Sequence, residues 1–288
     1  MTILDAIIQG IVQGLTEFLP VSSSGHLSLV QHFTGQSGET GAMFSILLHF
    51  GTLVAVMVAF FPTIRGLVLE GCRMVGDLFT GRFSLKDPSP ERRMILMLLL
   101  ALLPLGAAFF IKDFYAAFSE DGDILVEGVC FLITSGLLFW SDRTRKGEKD
   151  AAAMRPGDAL AVGIAQALAP MPGISRSGST IATGLLMGLS REYAVAFSFI
   201  LGVPAVLGAN VFEIGDAIAE GMSVSPLVLA VGMAVSAVVG FFAIKMVKWL
   251  VKSDRFEIFA WYTLVLGVLT VGVGVYELIS GQPIVLFY

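Results

Sequence analysis

Between Gln13 and His26 the chain reads QGLTEFLPVSSSGH, which sets a glutamate, three consecutive serines and a histidine inside a strongly apolar stretch. A second stretch, PMPGISRSGST from Pro170 to Thr180, carries Arg176 among serines and glycines. Ionisable groups in a membrane segment are costly and functional by default, which singles out Glu17, His26 and Arg176. Both stretches are small, hydroxyl-rich turns leading into a helix N-terminus, where backbone N–H groups and the helix dipole favour an anion, phosphate above all. Arg176 adds a planar, permanently charged fork suited to phosphate oxygens. The chemistry that fits is recognition of a phosphate by the two turns, which hold Gln13, Ser22, Ser24 and Gly25 in the first and Ser175, Ser177, Gly178 and Thr180 in the second, with the ionisable Glu17, His26 and Arg176 beside them.

The surrounding chain explains how such groups come to lie in a membrane. Of 288 residues, 56% are hydrophobic and only 14% charged, which excludes an ordinary soluble domain and predicts an all-α, polytopic membrane protein. The net charge of −5 averages over loops of opposite sign, and no basic patch suggests nucleic acid. MTILDAIIQG has no Lys or Arg before its apolar run, so the first segment is expected to remain in the protein. Cys72 and Cys130 offer neither a disulfide framework nor metal-ligand spacing. Apolar runs near 42–61, 94–111, 124–140, 193–212, 226–244 and 257–275 are of spanning length. The regions 3–33 and 158–190 are instead broken by Pro, Gly and Ser, the pattern of re-entrant helix-loop-helix hairpins. In the first hairpin Asp5, Gln9, Gln13 and Glu17 recur every four residues, giving one polar helical face, and Pro20 ends that helix.

The two broken regions are copies. Slid by 153 positions (158 − 5), Asp5, Ala6, Gly10, Ile11, Gln13, Leu15, Ser22, Ser24 and Gly25 match Asp158, Ala159, Gly163, Ile164, Gln166, Leu168, Ser175, Ser177 and Gly178. Chance would give roughly one or two matches over that window at average residue usage, so a duplication is expected, with repeat 1 at about 1–140 and repeat 2 at about 154–288 of a single membrane domain. Each repeat holds a hairpin and three spans, and an odd number predicts opposite orientation in the membrane. Lys and Arg collect in the loops 62–93, 141–157 and 245–255, predicted to be cytoplasmic. The alternate loops carry Asp113, Glu120, Asp121 and Asp123 in one case and Asp216 and Glu220 in the other. The broken tips then meet near the midplane in one composite site.

Blander readings stand beside these. Ser and Gly are common where membrane helices pack closely, Gln13 is also suited to bonding a neighbouring helix, and Glu17 with Arg176 would make a structural ion pair. His32 and His49 read as interfacial or packing residues, Asp5 and Asp158 as start-of-helix charges, and Arg191 and Glu192 as boundary residues.

QGLTEFLPVSSSGH and PGISRSGST resemble the two signatures of the bacterial undecaprenyl pyrophosphate phosphatases, the BacA/UppP family, and the similarity extends over the chain in length, span count and motif spacing. The resemblance implies an inner-membrane phosphatase, its site opening to the periplasmic side, that removes one phosphate from a C55 polyprenyl diphosphate and so recycles the carrier lipid for peptidoglycan and confers bacitracin resistance. It also implies Mg2+ or Ca2+ dependence; Glu17 is suited to binding such a cation, to activating a nucleophile, or to both. Gln13, Glu17, Ser23, His26, Ser175 and Arg176 match the family's functional positions, although Gln13 stands where Glu also occurs and is a poor general base. For the nucleophile, Ser23 activated by His26 and His26 itself are both chemically sensible, Ser23 being preferred. The expected partners are the lipid substrate, membrane lipids and a second copy in a homodimer. A transporter or lipid flippase is the competing class, because inverted repeats with broken hairpins are also a transporter pattern.

Overall fold

A computed structural model describes residues 2–34, 39–84, 86, 88–108, 124–220, 225–253, 255–282 and 284. The acidic group Asp113, Glu120, Asp121 and Asp123 lies outside the described residues. The described residues form α1 (Ile3–Thr16), α2 (Ser23–Thr34), α3 (Glu39–Ala59), α4 (Phe61–Phe79), α5 (Pro90–Ala108), α6 (Leu125–Asp142), α7 (Pro156–Ala167), α8 (Arg176–Leu186), α9 (Arg191–Glu220), α10 (Pro226–Lys252) and α11 (Glu257–Ser280). The protein is all-α. Four helices among the described residues are long and apolar enough to cross a membrane, at Leu125–Asp142, Arg191–Gly208, Pro226–Lys252 and Glu257–Ser280, and α3 with α4 makes a fifth if that bent pair is one span. In α5, Glu91, Arg92 and Arg93 occupy the first turn and the apolar stretch starts only at Met94.

The two broken regions are helix-turn-helix hairpins, α1–α2 and α7–α8, and they begin alike. The Asp5 carboxylate accepts the backbone N–H of Thr2, and the Asp158 carboxylate accepts that of Arg155. Short helices inside a membrane protein are stable only when neighbours bury them. The halves supply this for one another: α1 and α3 pack on α10, α7 packs on α5, and α6 packs on α11, so helices of the first half lie mainly against helices of the second.

One region differs from the sequence expectation. The stretch 62–93 was expected to be a loop, yet it contains α4, which leaves the axis of α3 at 87°. Pro62 sits at the first turn of α4, where a missing N–H costs nothing. A period of 3.6 turns Ile64, Leu67, Glu70 and Met74 toward the protein and Phe61, Val68, Val75 and Phe79 outward. Glu70 is buried because the Arg92 guanidinium meets it at 2.7 Å and Asp77 at 2.6 Å, which cross-links α4 to α5.

The three basic loops come together at one end of the molecule. Arg93 donates to the Met154 carbonyl at 2.9 Å, Arg191 meets Asp142 at 3.5 Å, Lys252 meets Glu192 at 3.3 Å, and Lys248 reaches the Ala59 carbonyl at 3.5 Å. Trp140, Trp249 and Trp261, all more than half exposed, lie near the helix ends that adjoin these loops, an arrangement expected at a membrane interface.

Candidate active site

The first tip is shaped by one strained residue. Ser22 has φ +70, the positive-φ residue other than glycine among the described residues. Such backbone costs about 1–3 kcal/mol and persists only where surrounding structure determines it. Here the Ser22 hydroxyl accepts the N–H of Gly25 at 3.3 Å, capping α2, and the N–H of Gly173 in the second tip at 3.1 Å. The second tip repeats the device: the Ser175 hydroxyl accepts the N–H of Gly178 at 3.0 Å and caps α8. The pairs Ser22/Ser24 and Ser175/Ser177 have hydroxyl separations of 3.4 and 3.3 Å. The duplication seen in the sequence is therefore a duplication of hydrogen bonds.

The tips interlock. Ser177 donates to the Leu19 carbonyl at 3.0 Å. A Cβ on Gly25 would stand 2.7 Å from the Gly173 nitrogen and 2.6 Å from the Phe131 ring, so only glycine allows the backbones this close. Thr134 of α6 braces the second tip, accepting the Ser175 N–H at 3.1 Å and donating to the Gly173 carbonyl at 3.0 Å. Thr180 bonds the Ser198 hydroxyl of α9.

Glu17, at the C-terminus of α1, is the hub. One carboxylate oxygen receives the Arg176 guanidinium across the two tips. The other accepts Gln13 Nε2 at 3.0 Å and the Ser23 hydroxyl at 2.9 Å, and His49 Nε2 lies 3.5 Å away. The Arg176 guanidinium is seated against Gly202 of α9, where any Cβ would collide with it. Glu17 is buried, whereas Arg176 keeps 19% of its side chain exposed. The carboxylate accepts the Ser23 hydroxyl and so is placed to receive its proton, while the guanidinium is placed to neutralise charge on a neighbouring phosphate.

His26 stands apart from this cluster. Its Nδ1 is 2.7 Å from the Ser22 carbonyl, which can only accept, so Nδ1 carries the ring proton. In the neutral ring Nε2 accepts from the Tyr262 hydroxyl at 2.7 Å, and the two rings stack at 5.7 Å. The pairing of Ser23 with His26 is not present here, because both imidazole nitrogens are engaged elsewhere and Ser23 bonds Glu17.

The structure thus brings Gln13, Glu17, Ser23 and Arg176 into one hydrogen-bonded group and places His26 on the same tip. Ser22, Ser175, Ser177 and Thr180 are buried and their hydroxyls hold the tips, while Ser24 is exposed and Ser23, His26 and Arg176 are partly so. Gly25 and Gly178 lie in the capping turns. Sequence reasoning missed Tyr262, Thr134 and Gly202, whose relation to the tips is purely tertiary. It also took His49 for a packing residue; the rule applied to His26, that an ionisable group in an apolar run is functional, would have flagged it. His32, by contrast, pairs with Glu277 of α11 at 2.9 Å, away from the Glu17 cluster.

A divalent cation was expected on Glu17. Among the described residues no three His, Cys, Asp or Glu side chains cluster as a metal cage. The donors at hand are the Glu17 carboxylate and Gln13 Oε1, which is buried with no hydrogen-bond partner in the structure. Oxygens of these types suit a cation such as Mg2+ or Ca2+ that completes its shell with water and substrate phosphates, although here Gln13 turns Nε2 toward Glu17.

Residues 6–269 match the family described as "Bacitracin resistance protein BacA". The chain is 39% identical over 269 residues to an undecaprenyl-diphosphatase of Alkaliphilus metalliredigens, covering 93% of this chain and 97% of that protein. It is 40% identical over 275 residues to one of Methanosphaera stadtmanae, with 94% and 98% covered, and 38% identical over 270 residues to one of Syntrophotalea carbinolica, with 93% and 97% covered.

Proposed function

Because the chain belongs to the BacA family of bacitracin resistance proteins, we infer that it is an undecaprenyl-diphosphate phosphatase of the membrane. It cleaves the phosphoanhydride of undecaprenyl diphosphate with water, releasing inorganic phosphate and undecaprenyl phosphate, the carrier lipid of cell-wall polymer synthesis. Removal of the diphosphate also removes the lipid that bacitracin sequesters. The relatives named above are named as diphosphatases, so a transporter as the sole activity is not favoured.

The observation that carries the mechanism is the short contact of the Ser23 hydroxyl with Glu17, whose other oxygen holds Arg176. Ser23 Oγ attacks the terminal phosphorus while its proton passes to Glu17. The bridging P–O bond breaks and undecaprenyl phosphate leaves, its freed oxygen taking the proton back from Glu17. Water then cleaves the phosphoserine, giving inorganic phosphate and restoring the Ser23 hydroxyl. The Arg176 fork has five N–H donors, of which the ion pair takes one, so it can meet phosphate oxygens without leaving Glu17. The N-termini of α2 and α8 add fixed partial positive charge. His26, held as the Nδ1–H tautomer, turns Nε2 toward a proton it can accept or return once Tyr262 yields it. A divalent cation, held by Glu17 and Gln13, would supply neutralisation of diphosphate charge.

The same reading makes the two repeats, about 1–140 and 154–288, inverted in the membrane, with the basic end cytoplasmic and the tips reached from the periplasmic side. The gathering of the three basic loops at one end and the matched hydrogen bonds of the two tips support it. The test is phosphate release from undecaprenyl diphosphate by the purified, detergent-solubilised protein. A folded protein that releases no phosphate, with or without Mg2+ and Ca2+, would overturn the assignment.

A further inference from the structure

The cations that the catalytic reading leaves unused gather at the basic end. Arg191, Glu192, Lys245, Lys248, Trp249 and Lys252 line a cleft of about 460 Å3 between α9 and α10. Two of its cations are matched, Arg191 by Asp142 at 3.5 Å and Lys252 by Glu192 at 3.3 Å. Lys245 and Lys248 instead lie over aromatic faces, 4.4 Å from the Phe241 centroid and 3.6 Å from that of Phe60. Among the described residues neither ammonium has a carboxylate at ion-pair distance. A ring orients an ammonium and leaves its charge in place. The cleft therefore presents uncompensated positive charge.

Its depth is set by α4. Phe60, under Lys248, is the residue at which the chain turns by 87° from α3 into α4. With α3 crossing the bilayer, α4 runs in the membrane plane. Its outward face is mostly apolar, with Phe61 60%, Val68 59% and Phe79 86% exposed and Arg65 as the charge set among them, while acidic Glu70 and Asp77 turn inward to Arg92. A helix facing water has the opposite polarity, so the outer face of α4 rests on acyl chains just beneath the headgroups. Lys248 and the exposed Trp249 then stand at headgroup level. Farther along α10, Val238 and Phe242 are exposed and offer an apolar wall toward the bilayer.

We propose that this cleft binds a phosphate-bearing headgroup at the basic end of the protein, namely that of an acidic phospholipid, with Lys245 and Lys248 on the phosphate and an acyl chain along α10. Basic pockets between membrane helices are suited to anionic headgroups. The site shares no residue with the two tips and involves no covalent step.

Native mass spectrometry of the full-length protein in detergent, titrated with phosphatidylglycerol, phosphatidylcholine or inorganic phosphate, tests this. Phosphatidylglycerol should be retained over phosphatidylcholine, and Lys245→Gln/Lys248→Gln should weaken it roughly 30-fold, about five-fold per cation. Lys245→Arg/Lys248→Arg should retain the lipid, and Glu192→Gln, which removes a carboxylate from the cleft, should tighten it. Phosphate release from undecaprenyl diphosphate should stay at the wild-type rate in all of these variants. Equal retention of phosphatidylglycerol by the wild type and the Gln pair overturns the site. Inorganic phosphate that displaces phosphatidylglycerol at equal concentration overturns the lipid as its ligand. Should the Gln pair fail to elute as a single species, the Glu192→Gln variant decides, and binding left unchanged or weakened there counts against the proposal.

Discussion

The Ser22 hydroxyl accepts the backbone N–H of Gly173 at 3.1 Å and so ties together two turns that lie 151 residues apart in the chain. Adjacent serines then have opposite tasks: Ser22 is buried and holds the tips, while Ser23 is partly exposed and bonds Glu17. Ser22→Ala leaves the N–H groups of Gly25 and Gly173 buried without an acceptor and should cost about 1–3 kcal/mol, read as a lower melting temperature in detergent. Ser23→Ala should melt like the wild type and lose on the order of 10³-fold or more in turnover. Full activity in Ser23→Ala would remove Ser23 as the nucleophile.

The Glu17–Arg176 pair separates a structural from a catalytic role. Glu17→Gln, Arg176→Ala and Arg176→Lys should each lower turnover on the order of 10²- to 10³-fold, since an ammonium keeps charge and loses the fork. Arg176→Ala also strands a buried carboxylate, a loss of about 3–5 kcal/mol in stability. Adding Glu17→Gln to Arg176→Ala should restore the melting temperature and leave the enzyme inactive. Recovery of activity together with stability would make the pair an architectural ion pair and move the active centre elsewhere.

Of the three histidines, His49 ranks differently from the sequence expectation. His26→Ala should cost about 10²- to 10⁴-fold, as removal of an acid–base group does. Tyr262→Phe keeps the ring stacked on His26 and removes only the hydroxyl at Nε2, so its defect should be smaller and lie in kcat with KM preserved. His49→Ala was expected to be mild; with His49 Nε2 3.5 Å from Glu17, it should be clearly more impaired than His32→Ala. Steady-state kinetics of the four folded variants would show this order, and equal rates for His49→Ala and His32→Ala would return His49 to a packing role.

Inverted orientation of the repeats predicts sidedness. In a background lacking Cys72 and Cys130, single cysteines near Glu120 and Glu220 should react with an impermeant thiol reagent from outside, and cysteines near Arg82 and Lys146 only after the membrane is opened. Labelling of all four from one side would exclude the inverted arrangement.

The sequence by itself determined the membrane, the broken hairpins, their duplication and the groups able to handle a phosphate. Each of these is local: hydrophobic runs of spanning length, Pro and Ser clusters that cannot continue a helix, and Glu17, His26 and Arg176 where charge is costly. The sequence misread α4, because its polar stripe is that of a soluble loop's helix until Arg92, on the next element, takes Glu70 and Asp77 inward. Only the tertiary structure decided which serine reaches Glu17 and that His26 bonds Tyr262, 236 residues away. Those choices depend on a positive-φ serine and on glycines that let two backbones nearly touch, and so on distances between segments that periodicity and motif spacing do not contain.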